Sequence, residues 1–159
     1  RMNETFPMTG APSAVGSALV ARIETSFAKQ AFMTTLGARL VRVAPGEVEI
    51  ALPVSAHLCQ QHGFVHAGAV STIADSAAGY AALTAMPEGA GILTAEFKIN
   101  LLAPATGDEL RALGKVVKAG RTLTLATAEV FAISGGAHRL CAMLTATCMA
   151  IAGREGIRD

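Results

Sequence analysis

The sequence predicts an α+β domain in which one antiparallel sheet wraps a single buried helix, and three observations carry that reading. Residues 63–85, GFVHAGAVSTIADSAAGYAALTA, are small and apolar almost throughout, with Asp75 as the one formal charge. The run is long enough for about five helical turns, and a helix that is apolar on every side belongs inside a protein. Six other segments alternate apolar and polar residues at the period of strands, and the connections among the last four are short. A sheet with one face to bury and a helix to be covered satisfy each other.

In chain order, residues 1–13 are polar, carry Pro7 and Pro12, and read as a flexible arm; residues 14–153 read as one domain. Over 13–30 the apolar residues Val15, Leu19, Ile23 and Phe27 recur every fourth position, which predicts an additional, amphipathic N-terminal helix with Gly37 at its exit. Residues 40–43 and 47–53 flank the turn dipeptide Pro45-Gly46 and form a hairpin. In its second arm Val48, Ile50 and Leu52 alternate with Glu47, Glu49 and Ala51, as in a half-buried strand. Residues 55–62 are a polar loop leading into the central helix.

Beyond Pro87, Ala95, Phe97, Ile99 and Leu101 share one face of a strand, and Thr94, Glu96, Lys98 and Asn100 share the other. In 109–118, Leu110, Ala112, Gly114 and Val116 oppose Arg111 and Lys115. A tight Ala119-Gly120 turn follows, then strands over 121–133 and 139–151 joined at Ser134-Gly135-Gly136. Meander connections predict one continuous sheet for the last four strands. One helix under one sheet leaves the far side of the helix open, so a second copy is needed to cover it and at least a dimer is expected.

Composition excludes several classes. The formal net charge is +1 and the basic residues are not clustered, so no nucleic-acid footprint is present. No apolar run is long and charge-free enough to span a membrane, and the N-terminal residues carry no apolar core of a secretory signal. Cys59, Cys141 and Cys148 are odd in number and form no Cys-x-x-Cys pair, which reads as free thiols in a reducing, cytoplasmic setting. His62 and His66 stand four apart, but Gly63 lies between them and no third ligand accompanies them, so no metal is expected. Ser71, Thr72 and Ser76 lack a nucleophile elbow, and Gly89-Ala90-Gly91 lacks the third glycine and leading strand of a dinucleotide loop.

Gly63-Phe64-Val65-His66-Ala67-Gly68, then Asp75 and Ser76-Ala77-Ala78-Gly79-Tyr80, resemble the signature of the hotdog-fold acyl-CoA thioesterases. Within them the chain is most similar to the phenylacetyl-CoA-type, PaaI-like branch. The stretch LTAEFKINLLAPATGDELRALGKVVKAGRTLTLATAEV resembles the later strands of that branch, and the similarity spans residues 35–151. The resemblance implies a hotdog fold, a homodimer or dimer of dimers with active sites between subunits, and hydrolysis of acyl-CoA to acid and CoA. CoA is then part of the substrate, and no cofactor is implied. By position it makes Asp75 the nucleophile or general base and the backbone N–H of Ala67 or Gly68 the polarising donor. His66 and Gln60 orient substrate or loop, and Thr94 helps hold the attacking water. The family carries Gly where this chain has Ala67, and commonly Asn where it has Gln60.

Elementary chemistry supports the same division of roles. A helix start offers unpaired N–H groups and partial positive charge, suited to an oxyanion. From Ala67 to Asp75 is about 12 Å along a helix, so one helix cannot bring both groups to one carbonyl, and donor and carboxylate would come from different subunits. Lys118 and Arg121 flank Gly120, where CoA phosphates could meet two cations and backbone amides; the alternative is a solvated hairpin end, and Arg139 is a weaker candidate. Asp75 could instead be a structural carboxylate capped by hydroxyls, and His66 a satisfied loop histidine. A non-catalytic acyl-CoA or acyl-group binding module on the same fold is the competing function. A hydratase is disfavoured because the sequence holds no Asn-Pro dipeptide. Phe64, Tyr80 and Met86 are candidates to line an acyl cavity or to belong to the core.

Overall fold

The computed structural model describes residues 14–154 and 156–157, so the arm expected at 1–13 lies outside the described residues. The chain runs α1 (Ala14–Ala28), α2 (Ala31–Leu36), β1 (Arg39–Ala44), β2 (Glu47–Pro53), a short 3-10 turn (Ala56–Leu58), α3 (Ala67–Thr84), β3 (Gly91–Leu101), β4 (Glu109–Lys118), β5 (Leu123–Ser134) and β6 (Ala137–Ile151). The six strands form one antiparallel sheet in the order β1-β2-β4-β5-β6-β3. It curls around α3, which packs against every strand. This is the predicted architecture: Val70, Ile73, Ala74, Ala77, Ala78, Ala81, Ala82 and Leu83 of the helix are fully or almost fully buried with Ile50, Leu110, Val130 and Leu144 of the sheet.

Small residues let helix and sheet approach closely. A Cβ on Gly114 would lie 2.1 Å from the Ala77 carbonyl oxygen, so any larger residue there would push α3 off the sheet. The hairpin between β5 and β6 turns on Gly135 and Gly136, both at positive φ (54° and 81°), in the manner of a two-residue turn that suits the strand twist.

Five features differ from the sequence reading, each for a local reason. The N-terminal helix, expected over 13–30 with Gly37 at its exit, ends at Ala28, and residues 31–36 form a separate α2, closed by Gly37 at φ 74°. The β2 strand is buried on both faces, because Glu49, only 3% exposed, lies beneath Arg111 (2.6 Å) and beside Arg42 (3.9 Å). The β3 strand sits at the far edge beside β6 and not beside β4. Its link to β4 crosses the ends of the intervening strands, with Leu102 N–H donating to Cys141 O (2.8 Å) and Asp108 N–H to Ile133 O (2.7 Å). The β4–β5 connection takes residues 119–122, so Arg121 lies in the loop and not in the strand.

The fifth difference matters most for the site. Thr94 pairs with Cys148 and Glu96 with Thr147, so β3 carries a bulge at Ala95. An extra residue reverses the alternation. Thr94 therefore shares the helix-facing side with Phe97, Ile99 and Leu101, whose partners Ala146, Leu144 and Ala142 are buried, instead of opposing them.

Helix α1 lies across β1 and α3 with Ile23 and Ser26 buried. Arg22 fastens it by donating to the carbonyls of Met86 (3.1 Å), Pro87 (3.1 Å) and Ala90 (2.9 Å) just past the end of α3. None of the described helices is long and apolar enough to cross a membrane. Cys59, Cys141 and Cys148 are free thiols.

Candidate active site

The first turn of α3 is set by His66. Its backbone is extended (φ −61°, ψ 138°), its carbonyl accepts from Ala69 (2.9 Å) and Val70 (3.2 Å), and its Nδ1 accepts from the Gly68 N–H (2.9 Å). The imidazole thus caps the helix, and with Nδ1 accepting, the neutral ring carries its proton on Nε2. The Gly68 donor is thereby engaged within the chain. Among the described residues nothing accepts from the Ala67 N–H. Of the two predicted donors, Ala67 is the one presented outward, at the positive end of five helical turns.

The loop before the helix is tied down at both ends. His66 N–H donates to Leu58 O (2.8 Å), Val65 N–H to Ala105 O (2.9 Å), and Gly63, at φ 81°, supplies the left-handed turn between them. Gln60 closes this loop: its N–H donates to Phe64 O (2.8 Å), its carbonyl accepts from Gly63, and its side-chain oxygen accepts from the His62 N–H. Of the two tasks expected of Gln60, the structure displays the organisation of the loop. Gln60, Phe64, His66 and Ala67 line a cavity of about 520 Å³ with Val70, residues 101–105 and Cys141.

Asp75 lies two turns further along, half-buried, within reach of β3. Its Oδ1 accepts from Thr94 Oγ1 at 2.9 Å, and this is its one hydrogen bond among the described residues. Burial pushes its pKa above the usual aspartate value, and the Thr94 hydroxyl offsets part of that rise. Cys148, the register partner of Thr94, lies beneath the pair; burial and the Asp75 charge push its thiol up to about 11, which keeps it protonated. Ser71 and Thr72 are not nucleophiles here, since each hydroxyl donates back to a helix carbonyl, to Ala67 O (2.8 Å) and Gly68 O (2.7 Å).

Asp75 and Thr94 line a second cavity, of about 410 Å³, with Thr72, Ser76, Gly79, Tyr80 and Ile92, closed on one side by Ser26, Lys29, Gln30, Phe32 and Met33. The two cavities share no residue. Within one chain the structure therefore brings Asp75 to Thr94, and His66, Ala67, Gly68 and Gln60 to one another, and keeps the two groups apart. Lys118, Gly120 and Arg121 line neither cavity and stand exposed around the β4–β5 connection. Of the aromatic and sulfur candidates, Phe64 lines the first cavity, Tyr80 the second, and Met86 is core.

Residues from the α1–α2 junction, Gln30 above all, were not anticipated. With 13–30 read as one continuous helix, nothing pointed to a side chain turning inward there. No group of three or more His, Cys, Asp or Glu among the described residues is placed to hold a metal ion.

Residues 62–137 match the model of the thioesterase superfamily. Among solved structures, the chain is similar to a thioesterase family protein from Silicibacter pomeroyi, at 50% identity and a TM-score of 0.83, covering 85% of this chain and 99% of that one. A mutant of the phenylacetic acid degradation protein PaaI from Thermus thermophilus matches at 28% identity and a TM-score of 0.64, covering 74% of this chain and 96% of that one. The PaaI protein of the Escherichia coli phenylacetic acid degradation operon shares the fold, with a TM-score of 0.76 at 20% identity, covering 85% and 94%.

Proposed function

This chain belongs to the thioesterase superfamily, and from that premise we propose that it hydrolyses acyl-CoA thioesters of small aromatic or short to medium acyl groups, at sites shared between two subunits. The observation that carries the proposal is the carboxylate of Asp75. It is half-buried, pushed up in pKa and hydrogen-bonded among the described residues by Thr94 alone, and it lines a cavity large enough for a compact acyl group. Such a group supplies an electron pair near neutrality, either to the thioester carbon directly or through a water held by Thr94. The developing oxyanion needs a donor, and the Ala67 N–H at the helix start has the right polarity. Collapse of that oxyanion breaks the C–S bond and expels CoA as its thiolate; on the direct route the mixed anhydride left on Asp75 is then hydrolysed by water, which releases the acid and regenerates the carboxylate.

Two features support a shared site. Ala67 and Asp75 are about 12 Å apart along the helix, too far for one carbonyl to reach both. The β3 strand is an edge whose outer hydrogen-bonding groups have no partner strand among the described residues, and it exposes Leu93 (45%), Phe97 (46%) and Leu101 (55%). An edge of this kind favours pairing with a second copy, which would also cover the open side of α3 and bring the partner's helix start toward Asp75. Dimers of this kind could pair again into a tetramer. Lys118 and Arg121, with the backbone around Gly120, are the cations assigned to the CoA phosphates.

The test is direct. The protein is incubated with a panel of acyl-CoAs and a thiol reagent, and free CoA is followed. Release of CoA from the compact acyl groups is the expected result. Tight binding of the panel without release would overturn catalysis in favour of an acyl-CoA binding module.

A further inference from the structure

The cavity beside Asp75 has an end, and that end is polar. Its wall along α3 runs from Asp75 past Gly79 to Tyr80, five residues and about 7.5 Å of helix rise. A Cβ built on Gly79 would meet no atom within 4 Å, so the missing side chain contributes open space to the cavity between these two points. Beyond that gap stands Tyr80, 4% exposed, its ring set against Phe27 (centroids 5.8 Å apart).

The group facing Tyr80 comes from the joint between the first two helices. Gln30 occupies the N-cap position of α2, yet its side chain makes no cap bond. It turns into the cavity instead, and its Nε2 donates to Tyr80 Oη at 2.9 Å, an oxygen that also shares a hydrogen bond with Ser26 Oγ (3.4 Å). A primary amide has two N–H donors and a carbonyl acceptor. Among the described residues the remaining donor and the acceptor of Gln30 have no partner. One donor and one acceptor on the same amide match what a hydroxyl offers.

Resting on the acyl-CoA thioesterase reading above, we propose that the acyl chain lies over Gly79 and that the Gln30–Tyr80 pair reads its far end, selecting compact acyl groups that carry a terminal hydroxyl. At the roughly 1.2 Å per bond of an extended chain, six bonds span about 7 Å, comparable to the helix rise from Asp75 to Tyr80. A methyl end would leave the amide unpaired against apolar surface, and sites built to bond a hydroxyl disfavour the analogue lacking it. Gln30 is thus a specificity residue and takes no part in the chemistry. Gly79 sets the length.

The experiment compares hexanoyl-CoA with 6-hydroxyhexanoyl-CoA. In the unaltered protein kcat/KM should favour the hydroxylated chain about tenfold. Gln30→Leu should bring the ratio near one by slowing the hydroxylated substrate alone, with an unchanged melting temperature. Gly79→Val should slow both six-carbon substrates while sparing acetyl-CoA. A ratio of one in the unaltered protein, or an equal loss on both substrates in Gln30→Leu, would overturn the proposal, the latter showing that the pair only pins α1 and α2 to α3. If neither substrate releases CoA, the thioesterase reading fails separately. Calorimetric binding of the same two compounds then decides the specificity: a hydroxyl preference abolished by Gln30→Leu supports it, and equal binding overturns it.

Discussion

At its first turn α3 is exposed, and its polar groups are mostly bonded within the chain: the His66 ring holds the Gly68 N–H, and the His66 carbonyl takes the next two donors. Two turns later the same helix is half-buried and presents a carboxylate that, among the described residues, has a single hydroxyl partner and no paired cation. The first region is a fixed dipole that needs no protonation change to act. The second is a titrating group whose pKa is raised by desolvation. The contrast separates two tasks of thioester hydrolysis, stabilising an oxyanion and delivering an electron pair. It also explains why each has its own cavity.

The largest effect should come from the titrating region. Asp75→Asn should keep the fold and CoA binding while hydrolysis falls by about 10²–10⁴, measured as CoA release at saturating substrate. The same variant carries a stability signature. Because burial raises the folded-state pKa of Asp75 above its ordinary value of 3.8, the folded state binds the proton more tightly than the unfolded one. Its contribution is complete below the unfolded value and is lost as pH rises through the folded value. Asp75→Asn should remove that slope and melt higher than the unaltered protein at neutral pH. An equal melting temperature across that window would mean that the carboxylate is not desolvated.

Ala67→Pro tests the dipole region. Proline is tolerated at the first helical position and removes only the N–H, and His66 already has the extended backbone that a following proline requires. Turnover should fall about 10²–10³ with helical content unchanged by circular dichroism. Turnover equal to that of the unaltered chain would exclude this donor.

A smaller effect should follow from Thr94→Val, which keeps the shape and deletes the bond to Asp75. Desolvation is then unopposed, the Asp75 pKa rises further, and the acid limb of the kcat/KM profile moves to higher pH, with a loss of about tenfold at neutrality. An unmoved limb would show that the observed bond does not tune the carboxylate.

The two regions were unequally legible in the sequence. The helix, its single charge and the Gly63 turn before His66 announce themselves, because composition and turn chemistry act locally. The Thr94–Asp75 bond does not follow from alternation at all. Counting by twos places Thr94 on the face away from Phe97, and only the bulge at Ala95 turns it inward. A bulge at a small apolar residue leaves no mark in a hydrophobic pattern. Gln30 was hidden for a similar reason: the break between α1 and α2 falls at Lys29-Gln30, with no Gly or Pro to signal it. The placement of β3 at the far edge depends on a connection crossing two strands, which short-loop reasoning cannot anticipate. What remained obscure is what non-local packing decides.

The central claim is that the donor and the carboxylate of one site belong to different chains, and mixing the two inactive variants tests it. In a dimer of one Ala67→Pro chain and one Asp75→Asn chain, one site receives both lesions and the other receives the intact Ala67 N–H and the intact Asp75. Co-refolding equal amounts should restore about one quarter of the unaltered activity, since half the dimers are mixed and each has one sound site of two. A mixture as inactive as its components, with subunit exchange confirmed, would place both groups of a site on one chain and contradict the account.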